Sequence, residues 1–260
     1  MSARISHAGA LLFLLGLFIP LFPAAAERCS AYIVPAEQII DFMTGNFSGF
    51  STLTITQSTL RTPLDGNGAS FTEQVITASP DLFRLQMLDR GQERPDPPDM
   101  RYRQLLMANP GERIQRLLTG MGIDLDTVYL TRMDGVVAYG IGHRQDQGPK
   151  LLVEKERFLP LLLVYRTARG SAGDTVTVRF QDYRRQDKGW FPFEITCTVG
   201  DRVREHYTVL AFQAGVPVES AMLRPFDRGP GAERSPEKRV PDVEERHLQE
   251  TIKAFEEKYR

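Results

Sequence analysis

Apolar residues in this chain keep a helical spacing, lose it for alternation, and then repeat the exchange. In "VPAEQIIDFMTGNF", Ile39, Ile40, Met43 and Phe47 recur every three to four residues, with Pro35 near the start and Gly45-Asn46 as stop signals. This predicts a short amphipathic helix over about residues 35–45. The period then falls to two in "FSTLTITQSTL", "ASFTEQVIT" and "DLFRLQML", separated by the turn clusters Asp65-Gly66-Asn67-Gly68 and Ala78-Ser79-Pro80-Asp81. Alternation bounded by turn residues predicts an antiparallel meander. The polar, proline-rich "GQERPDPPDM" reads as an exposed loop, and "GERIQRLLTGMG" places Ile114, Leu117, Leu118 and Met121 on one face of a second short helix. Alternation returns in "DTVYLTRM", the hairpin pair Asp134-Gly135, "VVAYGIG", "PKLLVEKE", "PLLLVYRT", "DTVTVRFQDYRR", "PFEITCTVG" and "RVREHYTVLAF".

About ten strands in consecutive antiparallel order must curl or split, which favours a barrel or half-barrel over a flat sheet. The two faces differ: Phe193, Ile195, Cys197 and Val199 share one side of "PFEITCTVG", while Glu194, Thr196 and Thr198 share the other. Two stretches repeat an order of aromatic, spacer, proline, strand. In "LLVEKERFLPLLLVYR" Phe158 precedes Pro160, and in "GWFPFEITCTVG" Trp190 precedes Pro192. Each proline is expected as the first residue of a strand, where a missing N–H is tolerated, and each aromatic as a cap on the barrel rim.

Composition adds one main domain and an address. Of 260 residues, 42% are hydrophobic and 25% charged, enough for one core. Arg4, the apolar run Ala8 to Phe22 and Ala24-Ala25-Ala26 form a signal-peptide pattern over residues 1–26, cleaved after Ala26. The run is shorter than a spanning helix needs and contains Pro20. The expected organisation is therefore a leader (1–26), a body (27–226) and a charged tail (227–260). That tail begins with the proline- and charge-rich "DRGPGAERSPEKRVPDVEER" and ends in "HLQETIKAFEEKY", where Leu248, Ile252, Phe255 and Tyr259 repeat at helical spacing. A docked terminal helix, a partner- or membrane-binding helix and a frayed tail all fit that pattern. In an exported protein Cys29 and Cys197 are a disulfide candidate, the alternative being a buried thiol at Cys197. Without the leader, 31 basic and 33 acidic residues remain. A balance so close to neutral gives no reason to expect nucleic acid as a partner.

Catalytic chemistry finds little footing. His143, His206 and His247 have no neighbouring ligand pair, and neither cysteine has C-x-x-C spacing. "RGSAG" lacks the G-x-S-x-G pattern, and "GIGHRQ" lacks the third glycine and the following helix of a dinucleotide loop. The acidic pairs Asp182 with Asp187 and Asp124 with Asp126 read as turn residues beside strand ends. No catalytic residue, metal site or cofactor is expected.

The order of elements resembles the LolA/LolB superfamily of periplasmic lipoprotein carriers over about residues 35–225. "AEQIIDFMTGNFSGFSTLTITQS" is similar to that family's opening helix and first strand. "SPDLFRLQM" is similar to its Pro-x-Leu-Phe strand, and "RMDGVVAYGIG" to its Asp-Gly hairpin. "LLVEKERFLPLLL" resembles a pattern of outer-membrane lipoprotein-sorting proteins. The resemblance implies an α+β, mainly β fold: a curled antiparallel sheet, an open half-barrel of about eleven strands, with short helices covering its concave face. Between sheet and helices it implies a dry cavity for acyl chains, and so a non-catalytic, periplasmic lipid-binding chaperone for lipoprotein transport. The cargo would be lipoprotein or lipid acyl chains, with an inner- or outer-membrane partner protein beside them. The lining candidates are Ile39, Ile40, Met43, Phe83, Leu85, Met87, Leu117, Met121, Tyr139, Ile141, Leu161 and Leu163. Met43→Glu is expected to abolish lipid binding and spare the fold. In the carrier family an arginine precedes the proline of the Pro-x-Leu-Phe strand and ties down the lid; this chain has Ser79 there. The alternative is an envelope-stress sensor that uses the same fold to bind a protein partner.

Overall fold

The computed structural model describes residues 34–63, 68–89, 99–166, 175–219, 221 and 223–226. The leader, Cys29, most of the proline-rich stretch and the charged tail lie outside them.

Helix α1 (Ala36–Gly45) opens behind Pro35, whose fixed φ suits a helix start, and carries Glu37 in its first turn, where an acid favours the helix dipole. Strands β1 (Thr52–Arg61), β2 (Ala69–Ala78) and β3 (Leu82–Met87) follow as a meander. A 3-10 helix (Arg101–Leu106) and α2 (Gly111–Gly120) come next. The second run is β4 (Val128–Met133), β5 (Val136–Gly142), β6 (Lys150–Glu154), β7 (Pro160–Arg166), β8 (Thr175–Gln186), β9 (Gly189–Val199) and β10 (Arg202–Ala214). A two-residue β11 (Arg224–Pro225) ends the described order. Asp134 and Gly135 both have positive φ, 51° and 82°, as the tight hairpin between β4 and β5 requires.

All eleven strands form one antiparallel sheet in the order β11-β3-β2-β1-β10-β9-β8-β7-β6-β5-β4. The sheet is open, mainly β in character, and curls under short helices. The chain departs from a single run of neighbours at two places, the short β11 returning to pair with β3 rather than β10. β3 does not pair with β4; instead β1 pairs with β10, from Leu53 opposite Ala214 to Arg61 opposite Glu205. The helical segment between β3 and β4 therefore leaves one side of the sheet and rejoins at the opposite edge. In doing so it crosses the face that carries the core.

That core is one apolar cluster. Ile39, Ile40 and Met43 of α1, Tyr102 and Leu105 of the 3-10 helix, and Ile114 and Leu118 of α2 lie in it. From the sheet come Leu53, Ile55, Val75, Ile141, Leu151, Leu163, Val178, Ile195 and Cys197. Each large side chain buried this way contributes about 1.5–3 kcal/mol, which holds two ten-residue helices that would not persist alone in water.

Pro160 opens β7. Pro192 does not open a strand, because β9 begins three residues earlier at Gly189. It is tolerated for a local reason: β10 pairs with β9 only from Glu194 onward, so at Pro192 the strand has a neighbour on one side, Tyr183 of β8.

Candidate functional site

The trough between sheet and helices has an apolar floor and a polar corner. In the apolar part, Ile39, Ile40 and Met43 of α1 and Met121 at the end of α2 meet Phe83, Tyr139, Ile141 and Leu163 of the sheet, all buried together, and Leu85 and Leu117 pack against them partly exposed. Two of the lining candidates fall elsewhere. Met87 stands opposite Glu73 on the same face, beside the polar corner. Leu161 is the extra residue where the β6–β7 register slips between Leu152 and Val153. It lines a cleft of about 220 Å³ with Met133, Val136, Arg157 and Tyr183. Cys197 is a free thiol buried in the core. Burial also pushes its pKa up, so it is poorly reactive.

At one rim the aromatic pair of the repeated pattern comes together with α1. Phe158 has φ 54°, a left-handed conformation rare for an aromatic residue. It lies 4.8 Å from Phe42 of α1 and stacks at 6.0 Å on Tyr139 of β5. The Arg157 guanidinium lies over Trp190 at 5.1 Å. Asn46, at the end of α1, donates to the carbonyls of Arg157 at 2.7 Å and Phe158 at 3.3 Å. Phe42 remains 47% exposed and Leu130, opposite Tyr139 on the edge strand β4, 54%. Phe42 and Leu130 thus leave an exposed apolar patch on either side of Phe158 and Tyr139.

Side chains hold the helical strap that crosses the trough at both its start and its middle. Asp99 accepts from the Arg101 backbone N–H and guanidinium and from the Tyr165 hydroxyl at 2.9 Å. Ser79, the position where the carrier family has arginine, donates its hydroxyl to the Ala108 carbonyl between the 3-10 helix and α2. Arg113 of α2 pairs with Asp81 at 2.7 Å. A serine and an α2 arginine therefore tie the strap to the β2–β3 turn.

The polar corner lies at the far end of β1. Gln57, Thr59 and Arg61 continue the inward phase of Leu53 and Ile55, facing Glu73 of β2 and Glu205 and Tyr207 of β10, all buried. Arg61 bridges the two carboxylates, reaching Glu73 at 3.3 Å and contacting Glu205 through Nε. Gln57 Nε2 and the Thr59 hydroxyl donate to Glu73 at 2.9 and 2.8 Å, and the Tyr207 hydroxyl donates to Glu205. From the strap, Arg103 donates to Gln57 Oε1 at 2.9 Å and lies over the Tyr207 ring at 4.8 Å. Burial pushes the Glu205 pKa up to about 7, against the opposing pull of Arg61. Glu73 Oε2, Arg103 Nε and the Tyr102 hydroxyl have no hydrogen-bond partner among the described residues.

Sequence reasoning missed this corner, although its signal was present. In "TLTITQSTLR" the inward phase runs Leu53, Ile55, Gln57, Thr59, Arg61, so the dry face turns polar halfway along the strand. It also missed "RYRQLL", six residues too short to show a helical period, which carries Arg103.

Among the described residues no group of His, Cys, Asp and Glu side chains is arranged to hold a metal ion. No described helix is long and apolar enough to cross a membrane.

No family model matches the chain, and no curated protein matches it in sequence. Among solved structures, a LolA superfamily protein from Nitrosomonas europaea aligns with 73% of this chain and 97% of its own, with a TM-score of 0.51 at 10% identity. An outer membrane lipoprotein-sorting protein domain from Vibrio parahaemolyticus aligns with 71% of this chain and 94% of its own, with a TM-score of 0.46 at 10% identity. Identity this low speaks for the fold alone, and the first structure carries that likeness: the fold is LolA-like.

Proposed function

We propose that this LolA-like chain is a non-catalytic carrier of the bacterial envelope, which takes the acyl chains of a lipid or lipoprotein between its curved sheet and its helices. The supporting observation is how the apolar floor is closed. α1 and the strap cover it, and they are held by separable side-chain contacts: Asn46 to the 157–158 turn, Ser79 to Ala108, and Arg113 to Asp81. Lifting either helix breaks no strand pairing and frees a surface of Ile, Leu, Met and Phe side chains. Each methylene moved from water to such a surface contributes about 0.8 kcal/mol, so a two-chain lipid needs no charged partner to be retained.

The apolar patch at Phe42, Leu130 and Phe158 is the mouth by which chains reach the floor. The periplasm is the compartment in which such cargo and an exported carrier meet.

Native mass spectrometry of residues 27–260, purified from the periplasm without detergent, tests this reading. A bound mass that fragments as acyl chains supports it and begins to name the cargo. A protein that stays unliganded after incubation with envelope lipids and an acylated peptide refutes the carrier, and the fold then serves a protein partner.

A further inference from the structure

The polar corner is out of place in a trough that binds acyl chains. Four ionisable side chains, Arg61, Arg103, Glu73 and Glu205, are buried side by side on the face the helices cover. Burying charges costs more than an apolar replacement of similar size, so packing alone does not explain them. Their connectivity suggests a use. Three of the four belong to the sheet, whereas Arg103 belongs to the strap, and its bond to Gln57 is continuous through Glu73 and Arg61 to Glu205.

We propose that this network is a proton-linked latch: the strap seats on the sheet when Glu205 holds a proton and loosens when Glu205 ionises. This deepens the carrier reading, since it regulates access to the same trough and rests on the strap acting as its cover.

The groups facing Glu205 come from every element around it. They are Arg61 of β1, Glu73 of β2, Cys197 of β9 directly opposite, Tyr207 of β10, and Tyr102 and Arg103 of the strap. Arg61 and Arg103 favour the ionised form; burial and Glu73 oppose it, and burial is the largest cause. With the strap seated, the Glu205 pKa is about 7, against 4.5 for an ordinary glutamate. With the strap lifted, water reaches the carboxylate and the ordinary value returns. A group whose pKa is raised in the closed state stabilises that state below its ordinary pKa and loses the effect as pH rises through the raised one. Opening should therefore increase on the order of 50- to 100-fold between about pH 5 and about pH 8.

Hydrogen exchange at the amides of residues 101–106, corrected for the intrinsic pH dependence of exchange, reads this directly in the full mature chain with no lipid present. The expected result is that pH-dependent rise in opening for the wild type, with a flat, low profile for Glu205→Gln, whose neutral amide imitates the protonated acid. His206 neighbours Glu205 in sequence and bonds the Thr196 hydroxyl, so His206→Gln is the control and should keep the rise. A flat wild-type profile, a rise retained in Glu205→Gln, or a rise abolished by His206→Gln overturns the latch. Should Glu205→Gln fail to fold, the carbon-13 shift of the Glu205 carboxyl in the wild type decides instead: a midpoint near 7 supports the latch, and one in the usual glutamate range refutes it. Because neither measurement involves lipid, the latch can fail while acyl binding stands, and the reverse.

Discussion

Met43 has no exposed surface, and this changes how the trough should be probed. A carboxylate placed there would be buried among Ile, Leu and Phe side chains without a partner, so Met43→Glu damages the fold before it reports on binding. Truncation is more informative. Met43→Ala should lower unfolding stability by about 2–5 kcal/mol in a urea titration, the range for a large-to-small change in a packed core. Phe42, at 47% exposure on the same helix, is the better probe of binding: Phe42→Ser should weaken capture of a fluorescent fatty acid several-fold and leave the urea midpoint nearly unchanged. Equal capture by the two proteins would move the mouth elsewhere. Gly135, with φ 82° and open space around it, isolates backbone strain, and Gly135→Ala should cost about 1 kcal/mol in the same titration.

Single elements show why some of this architecture could be read from the chain and some could not. The helix over about residues 35–45 is found at Ala36–Gly45, and the face carrying Ile114, Leu117, Leu118 and Met121 leads into the same core. Both follow from local period, which a sequence displays. The pairing of β1 with β10 does not, since residues as far apart as Leu53 and Ala214 or Arg61 and Glu205 leave no mark in a local pattern. Strand beginnings were misjudged where neighbours decide them, as at Pro192, whose tolerance depends on where β10 stops pairing. Most residues named as lining are buried in the one apolar cluster, as their period implies, whereas the ionic corner was hidden behind an alternation that keeps its phase and changes its chemistry. The tie between α2 and the β2–β3 turn also belongs among the elements. Arg113 and Asp81 are each about 30% exposed, so a double-mutant cycle with Arg113→Ala and Asp81→Ala should give a coupling of no more than about 1 kcal/mol. A coupling several times larger would make that pair the main fastening of the strap.

For the molecule as a whole, the buried network makes stability and fit diverge. Arg61→Met leaves Glu73 and Glu205 buried without their shared partner and should cost about 3–5 kcal/mol by chemical denaturation. Replacing Arg61, Arg103, Glu73 and Glu205 together by apolar side chains of similar size should be neutral or stabilising by about 1–4 kcal/mol. If the fourfold variant is instead the least stable, the corner is structural cement and its charges need no regulatory explanation.

The missing β3–β4 pair has a mechanical meaning. Because the chain between β3 and β4 passes over the helix-covered face to reach the opposite edge, the strap is fastened at both rims and cannot swing aside like a hinged door. It can rise only as the handle of a bucket rises, clearing the space beneath while both ends stay where they are. If the proposed carrier function holds, cargo would slide out under the handle, past Phe42 and Leu130, rather than lift straight off the sheet. On that reading, an unloading receptor would meet the protein at the Phe42 and Leu130 side.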